Sequence, residues 1–286
     1  MMNEPNRQQE LAKRIRNTVP EPDELLIWWL GQSGFVLRTA EVCVVTDPYL
    51  STTLEDAARD QPWKRHIRMM PIALPPEELD CVDYIVCSHG HRDHCDPPSV
   101  LGILKGSPRA KVIVPPAVAA QMEWLPKSRT LSVGVGDRYA DGPLSVSAIP
   151  AKHNQFDWTE AYGYPYVGYI LRFGDLCVYH AGDTILHDDL PRLLAAEQPD
   201  IAIVPINGGT PELVAVGFQS NLNGQEAADL CRFAGAKLMI PCHYDMFTIN
   251  TAPVETFTTY VDNASAMPPY AVPEVGTPIR FRRGCK

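Results

Sequence analysis

The chain lacks the features of a membrane, exported or nucleic-acid-coating protein. No stretch approaches the roughly 18 consecutive apolar residues needed to span a bilayer. Met1 to Thr18 is polar and mixed in charge, without the apolar core of a signal peptide. Basic residues are in deficit: 25 Lys and Arg face 34 Asp and Glu, for a net charge of -9. That balance excludes a broad electrostatic footprint for nucleic acid, though not a local basic pocket. No C-x-x-C pair occurs among Cys43, Cys81, Cys87, Cys95, Cys177, Cys231, Cys242 and Cys285. Scattered thiols within apolar runs suit the reduced, packed cysteines of a cytosolic enzyme, so the cytoplasm is the expected location. Low-complexity tracts and clean linkers are absent too, and one domain over residues 1–286 is expected, with an N-terminal helix and link in 1–22.

What is present is concentrated in one place. His89-Gly90-His91-Arg92-Asp93-His94 puts four metal-capable side chains into six positions. The apolar run Asp83 to Ser88 before it reads as a buried strand. Asp96-Pro97-Pro98 after it reads as an N-cap followed by proline in the first helical turn. The ligands therefore sit on a strand-to-helix turn, a place where rigid elements can hold catalytic groups. A cluster this tight points to a metal site rather than to solvated polarity.

Apolar periodicity predicts a helix within Gln8 to Asn17 and β segments at Leu25–Leu30, Gly34–Arg38 and Val42–Thr46. From Asp83 onward strands and helices alternate, with strands at Tyr84–Cys87, Lys111–Val114, Leu144–Ile149, Tyr166–Phe173, Asp175–His180, Ile201–Pro205 and Lys237–Pro241. Helices are expected at Pro98–Lys105, Ala117–Trp124, Asp188–Ala196, Gly224–Ala234 and Pro253–Asn263. This is an α/β pattern that two sheets sandwiched between helices would satisfy. Residues 47–80 show little periodicity and read as an insertion on the substrate side.

One loop cannot enclose a metal. His153, Asp183 and His243 each follow an apolar run, where α/β sheets place their active sites. Five histidines and two aspartates are too many for one tetrahedral zinc and suit two metals sharing a carboxylate. His89, His91 and His153 would hold one ion, Asp93, His94 and His243 the other, with Asp183 between them. Cys95 and Cys242 flank two of these histidines but are expected to pack rather than ligate.

His89-x-His91-x-Asp93-His94, followed by His153, Asp183 and His243, resembles the metallo-β-lactamase superfamily over roughly Leu25 to Phe247. Asp47, in Val45-Thr46-Asp47-Pro48, matches the motif whose aspartate supports the ligands from behind. Trp28 to Gly34, His180-Ala181-Gly182-Asp183 and Ile240 to Asp245 are similar to the L-ascorbate-6-phosphate lactonase branch. The resemblance implies a four-layer αββα sandwich and a hydrolase with two divalent metal ions, manganese in that branch and zinc elsewhere. The same ligand types accept iron. The chain is shorter than that lactonase and lacks several of its insertions, which leaves the substrate open.

Asp93 is the expected catalytic residue, orienting the attacking water. His180 is expected to orient Asp183 from behind. Trp63, Lys64, Arg65, His66 and Arg68 form a basic patch suited either to gripping phosphate or to plain solvation; Arg65 and Arg68 are the candidate anion contacts. Asn207 and Gly208 could offer backbone amides to an anion or form an ordinary turn. Trp158, Tyr162 and Tyr164 suit a cleft wall or a cover for the core. The favoured reading is hydrolysis of a sugar-derived lactone, phosphorylated or not. Hydrolysis of a small or cyclic phosphodiester is the alternative, and a binding protein without turnover the third. The expected partner is a small molecule, with no nucleic acid and no membrane; self-association stays open.

Overall fold

The computed structural model describes residues 4–61 and 66–284, with side chains from Asn6 onward. Thirteen strands and eight α-helices lie within them. One sheet uses β1 (Glu24–Gly31), β2 (Gly34–Arg38), β3 (Cys43–Thr46), β4 (Tyr84–Val86), β5 (Lys111–Val114) and β6 (Thr130–Ser132). The other uses β7 (Arg138–Asp141), β8 (Leu144–Pro150), β9 (Val167–Phe173), β10 (Leu176–His180), β11 (Ile201–Pro205) and β12 (Leu238–Cys242). The last strand, β13 (Ile279–Arg282), returns to pair antiparallel with β1. The orders are β13-β1-β2-β3-β4-β5-β6 and β12-β11-β10-β9-β8-β7. Each sheet is mixed: β3 to β6 run parallel, as do β10 to β12, while the hairpin-linked strands are antiparallel.

The two-residue period of β1 explains its unbroken apolar sequence. Leu25, Ile27 and Trp29 enter the core between the sheets, while Leu26, Trp28 and Leu30 enter a second core on the outer face. Leu11 and Ile15 of α1 (Glu4–Asn17), four residues apart, cover that outer face. Fully burying a side chain such as Ile15 stabilises the fold by about 1.5–3 kcal/mol. The short α2 (Thr53–Ala57) follows β3, and α3 (Pro97–Gly106) adds Val100, Ile103 and Leu104 to the outer core beside α4 (Pro116–Gln121). On the other side α5 (Leu190–Glu197) packs on β8. Past the short α6 (Pro211–Ala215), α7 (Gly224–Ala234) packs on β11 and β12, with α8 (Glu255–Asn263) against it. The layers are therefore helix, sheet, sheet, helix, as expected. No helix among the described residues is long and apolar enough to cross a membrane.

Three local expectations change. The helix after β5 stops at Gln121, and β7 forms where the alternation of Arg138–Asp141 is too polar to have marked a strand. The insertion at 47–80 divides. Tyr49 packs on Phe247, and Arg68 bridges to Phe247, next to the site, whereas the 3-10 turn Pro76–Glu78 lies against α3.

Candidate metal centre

Five strand ends converge on one edge of the sandwich. Asp47 follows β3, Ser88 to His94 follow β4, His153 follows β8, Asp183 follows β10 and His243 follows β12. The turn from β4 into α3 is closed by Asp96, whose side chain accepts from Ser99 N at the helix start. His89, His91, His153 and Asp183 bring one ligand atom each within 4.8 Å of one another, and Asp93, His94 and His243 form a second such group. All seven candidate ligands come together, and the two groups match the division expected from ligand count and spacing, with Asp183 falling in the first.

Asp47 organises both groups from below. It is fully buried, and Oδ1 accepts from Ser88 N at 2.7 Å. Oδ2 accepts from Ser88 Oγ at 2.7 Å and from His94 Nδ1 and His180 Nε2 at 2.8 Å. Burial alone would raise its pKa, but His180 and His94 hold it well below the usual carboxylate range. An ionised carboxylate only accepts, so His94 carries a proton on Nδ1 and turns Nε2 towards the centre. Asp183, Asp93 and Asp47 outweigh its burial and push its pKa well above the ordinary value, so it must shed the Nε2 proton to become a ligand. Ser88 Oγ, having donated to Asp47, accepts from His89 Nδ1 at 3.0 Å, which bares His89 Nε2. His153 Nδ1 donates to Ser220 O at 3.0 Å, with the same result.

The donor set fits a divalent cation. His94 Nε2 and Asp183 Oδ1 are buried without a hydrogen-bond partner, 3.3 Å apart. His89 Nε2 and His91 Nδ1 face each other at 3.0 Å. Buried polar atoms are normally satisfied, and lone pairs aimed at a common space are the signature of a missing positive charge. Asp183 spans the groups: Oδ2 lies 3.4 Å from both His153 Nε2 and His243 Nε2, and Oδ1 is the atom facing His94. Burial, aided by neighbouring imidazoles, lowers the pKa of His89 and takes His153 down to about 4. Both stay neutral, as metal ligands must. His243 moves the other way, up to about 9, because Asp183 and Asp93 outweigh its burial.

Beside the ligands opens a cleft of about 360 Å³. Leu54, His66 and Phe218 supply its apolar and aromatic walls, and Gln219 and Asn250 its neutral polar ones. Arg92, exposed, is the single Lys or Arg among the described lining residues.

Several sequence expectations need correction. Arg68 does not enter the cleft: its guanidinium lies over the Tyr49 ring, 5.1 Å from the centroid, and donates to Ser51 O. Trp63, Lys64 and Arg65 lie outside the described residues. Asn207 is buried, and the Gly208 N–H is already given to Leu222 O, because this turn closes on the 221–223 segment. Asn207 instead props the cleft residue Asn250, donating from Nδ2 to its Oδ1 at 3.0 Å, while Asn221 donates to Asn207. His180 bonds Asp47 rather than Asp183. Trp158 and Tyr162 are exposed, and Tyr164 packs on Phe156. Cys95 and Cys242 pack in the cores, as expected.

The aromatic residue that does reach the centre is Tyr166, just before β9. Its ring lies 5.1 to 5.5 Å from those of His89, His91 and His153, and its hydroxyl is 3.3 Å from His91 Nε2. Gln32 is the other residue the sequence reading missed, with Nε2 2.9 Å from Asp93 Oδ2. Its place in the Trp28 to Gly34 motif, on a β1–β2 turn, was the available signal.

The comparisons with known proteins agree with this geometry. A family model described as the β-lactamase superfamily domain matches residues 26–243. A UPF0173 metal-dependent hydrolase of Pyrococcus horikoshii is 26% identical over 235 residues, covering 82% of this chain and 90% of the relative. Another, from Sinorhizobium medicae, is 28% identical over 263 residues, covering 87% and 97%. Among solved structures, Igni18, a metallo hydrolase from the archaeon Ignicoccus hospitalis, superposes with a TM-score of 0.64 at 21% identity. That match covers 91% of this chain and 99% of Igni18, which establishes the shared fold. With its family match spanning every candidate ligand, the chain belongs to the metallo-β-lactamase superfamily and is a metal-dependent hydrolase.

Proposed function

We propose that the protein hydrolyses a small, compact lactone at a centre holding two divalent ions, one with His89, His91 and His153 and the other with Asp93, His94 and His243, Asp183 serving both. Bound there, such ions would supply an acidified water and an electrophile for the acyl oxygen. The chain's own groups do the rest. Asp93, ionised and partly open to the cleft, orients the attacking water and takes its proton. The same carboxyl then returns that proton to the ring oxygen released as the lactone opens, giving the hydroxy acid. Tyr166 and the Asp47–Ser88 pair fix the imidazoles that must stay neutral.

The observation that supports the lactone reading is the scarcity of cations along the cleft walls among the described residues. Beyond the candidate ligands its described walls include Leu54, Phe218, Gln219, Asn250 and His66, and the one Lys or Arg among them is the exposed Arg92. A phosphorylated or diester substrate would call for buried cations there; Arg68 lies over the Tyr49 ring instead, while Lys64 and Arg65 lie outside the described residues. Of the two forms, phosphorylated or not, the unphosphorylated lactone is the one proposed. Manganese and zinc are the metals proposed, and a small molecule is the partner.

Protein loaded with manganese or with zinc would be offered sugar-derived and simple aliphatic lactones beside bis(p-nitrophenyl) phosphate. Lactone opening, followed by acid release, supports the reading. Diester turnover without lactone turnover replaces it with the phosphodiesterase alternative. Metal uptake with no turnover on any ester favours a binding role.

A further inference from the structure

We propose that Gln32 is a positioning residue for Asp93, its side-chain amide fixing the carboxylate that faces the attacking water; this rests on the hydrolase reading above. Gln32 is buried at the turn between β1 and β2, and its Nε2 donates to Asp93 Oδ2 at 2.9 Å. The same nitrogen lies 3.1 Å from His243 Nε2, so the amide stands between two members of one candidate metal group.

The backbone around it is held independently. Gln32 O accepts from Trp29 Nε1 at 3.0 Å and from His243 N at 3.1 Å. Any residue supplies that carbonyl, so the turn itself does not require this side chain. Position 32 is left-handed, at φ 52, next to Gly31 at φ 98. Glycine would meet that conformation with less strain, yet a long amide occupies it and reaches across to Asp93.

An amide suits the task for a chemical reason. It donates at every pH and carries no charge, so it steadies a carboxylate without placing a second positive charge beside it. A lysine there would bring a rival positive charge, and a glutamate would repel Asp93. Once Gln32 holds Oδ2, rotation of the carboxylate about its Cβ–Cγ bond is restricted, and the proton acceptor keeps one orientation through the reaction.

The test uses Gln32→Leu and Gln32→Met, which keep the bulk and lose the donor, and Gln32→His, which restores an N–H and tolerates positive φ. Each would be loaded with Co²⁺ as a spectroscopic probe and assayed on whichever lactone or diester the parent protein hydrolyses. The expected result for the Leu and Met variants is the parental Co²⁺ stoichiometry and melting temperature. Their visible Co²⁺ bands should shift, and kcat should fall about 10- to 100-fold with KM within about threefold. The His variant should recover part of both. Unchanged spectra and kcat would overturn the proposal, as would a loss explained wholly by missing metal and cured by excess Co²⁺. If the parent protein hydrolyses none of the probes, the function proposed above falls, and the Co²⁺ spectra still decide the role of Gln32.

Discussion

Asp47 Oδ2 and His94 Nδ1 lie 2.8 Å apart, both fully buried, and that contact determines which nitrogen of His94 faces the candidate ions. The same carboxylate reaches His89 through Ser88, so one residue sets the tautomer of a histidine in each group. Asp47→Asn would keep the shape but could present an N–H to His94 or to His180, forcing one ring to turn over. Metal affinity is expected to fall about 10- to 100-fold, with activity following, as measured by equilibrium dialysis and metal analysis. Parental affinity in a folded Asp47→Asn protein would remove Asp47 from this role.

Metal uptake should release protons. In the metal-free protein His243 titrates near 9, against an ordinary value of 6.5, because Asp183 and Asp93 favour its charged form. At pH 7 it is protonated and must lose that proton to become a ligand, so calorimetry in buffers of different ionisation enthalpy should report proton release. The stability of the metal-free form carries the same sign. A raised pKa adds stability that is complete below about 6.5 and lost as pH climbs through about 9. Its melting temperature should therefore fall between those limits, and the metal-loaded protein should lack that fall. A flat metal-free profile would contradict the assignment.

Asn250 is expected to act on binding rather than on turnover. Its Oδ1 accepts from Asn207, which leaves Nδ2 as the group available to a substrate oxygen in the cleft. Loss of one neutral hydrogen bond is worth about 0.5–1.5 kcal/mol. Asn250→Ala should thus raise KM by about 2- to 10-fold while kcat changes little. A fall in kcat with KM unchanged would place the residue in the chemistry instead.

The candidate ligands were legible because their chemistry is local: closely spaced histidines after a strand, then single His or Asp residues at later strand ends. The double sheet was legible because β1 and its neighbours alternate into two cores, Leu25 and Ile27 to one side, Leu26 and Trp28 to the other. What stayed hidden depends on contacts between distant segments. The Trp28 to Gly34 motif marks the turn that carries Gln32, but not that its amide meets Asp93, 61 positions away. Arg68 looked like an anion contact by composition, but the exchange of hydrogen bonds between Ile67, Met69 and the 246–248 segment turns its side chain towards Tyr49. Tyr164 and Tyr166 both precede β9, and only contacts with distant segments separate them: Tyr164 packs on Phe156 while Tyr166 meets His91.

Gly182 provides a test of how tightly the turn before Asp183 is set. Its φ is 57, and a Cβ there would come 2.5 Å from Ser88 Cβ and 3.1 Å from Val167 O. Ser88 cannot retreat, because its hydroxyl and its N–H are both bonded to Asp47. Gly182→Ala must therefore push the Asp183 turn away from β4 or displace Ser88, and either movement pulls apart the two candidate groups that Asp183 spans. Left-handed strain and overpacking together should destabilise the fold by on the order of 2–4 kcal/mol. Metal stoichiometry should fall as well, since the carboxylate that lies between the two candidate groups moves with the turn. Denaturant melts and metal analysis on the same sample separate the two effects. A variant that melts early yet still binds its full complement of metal would show that Asp183 tolerates this displacement, and would place the rigidity of the centre in Asp47 and Ser88 alone.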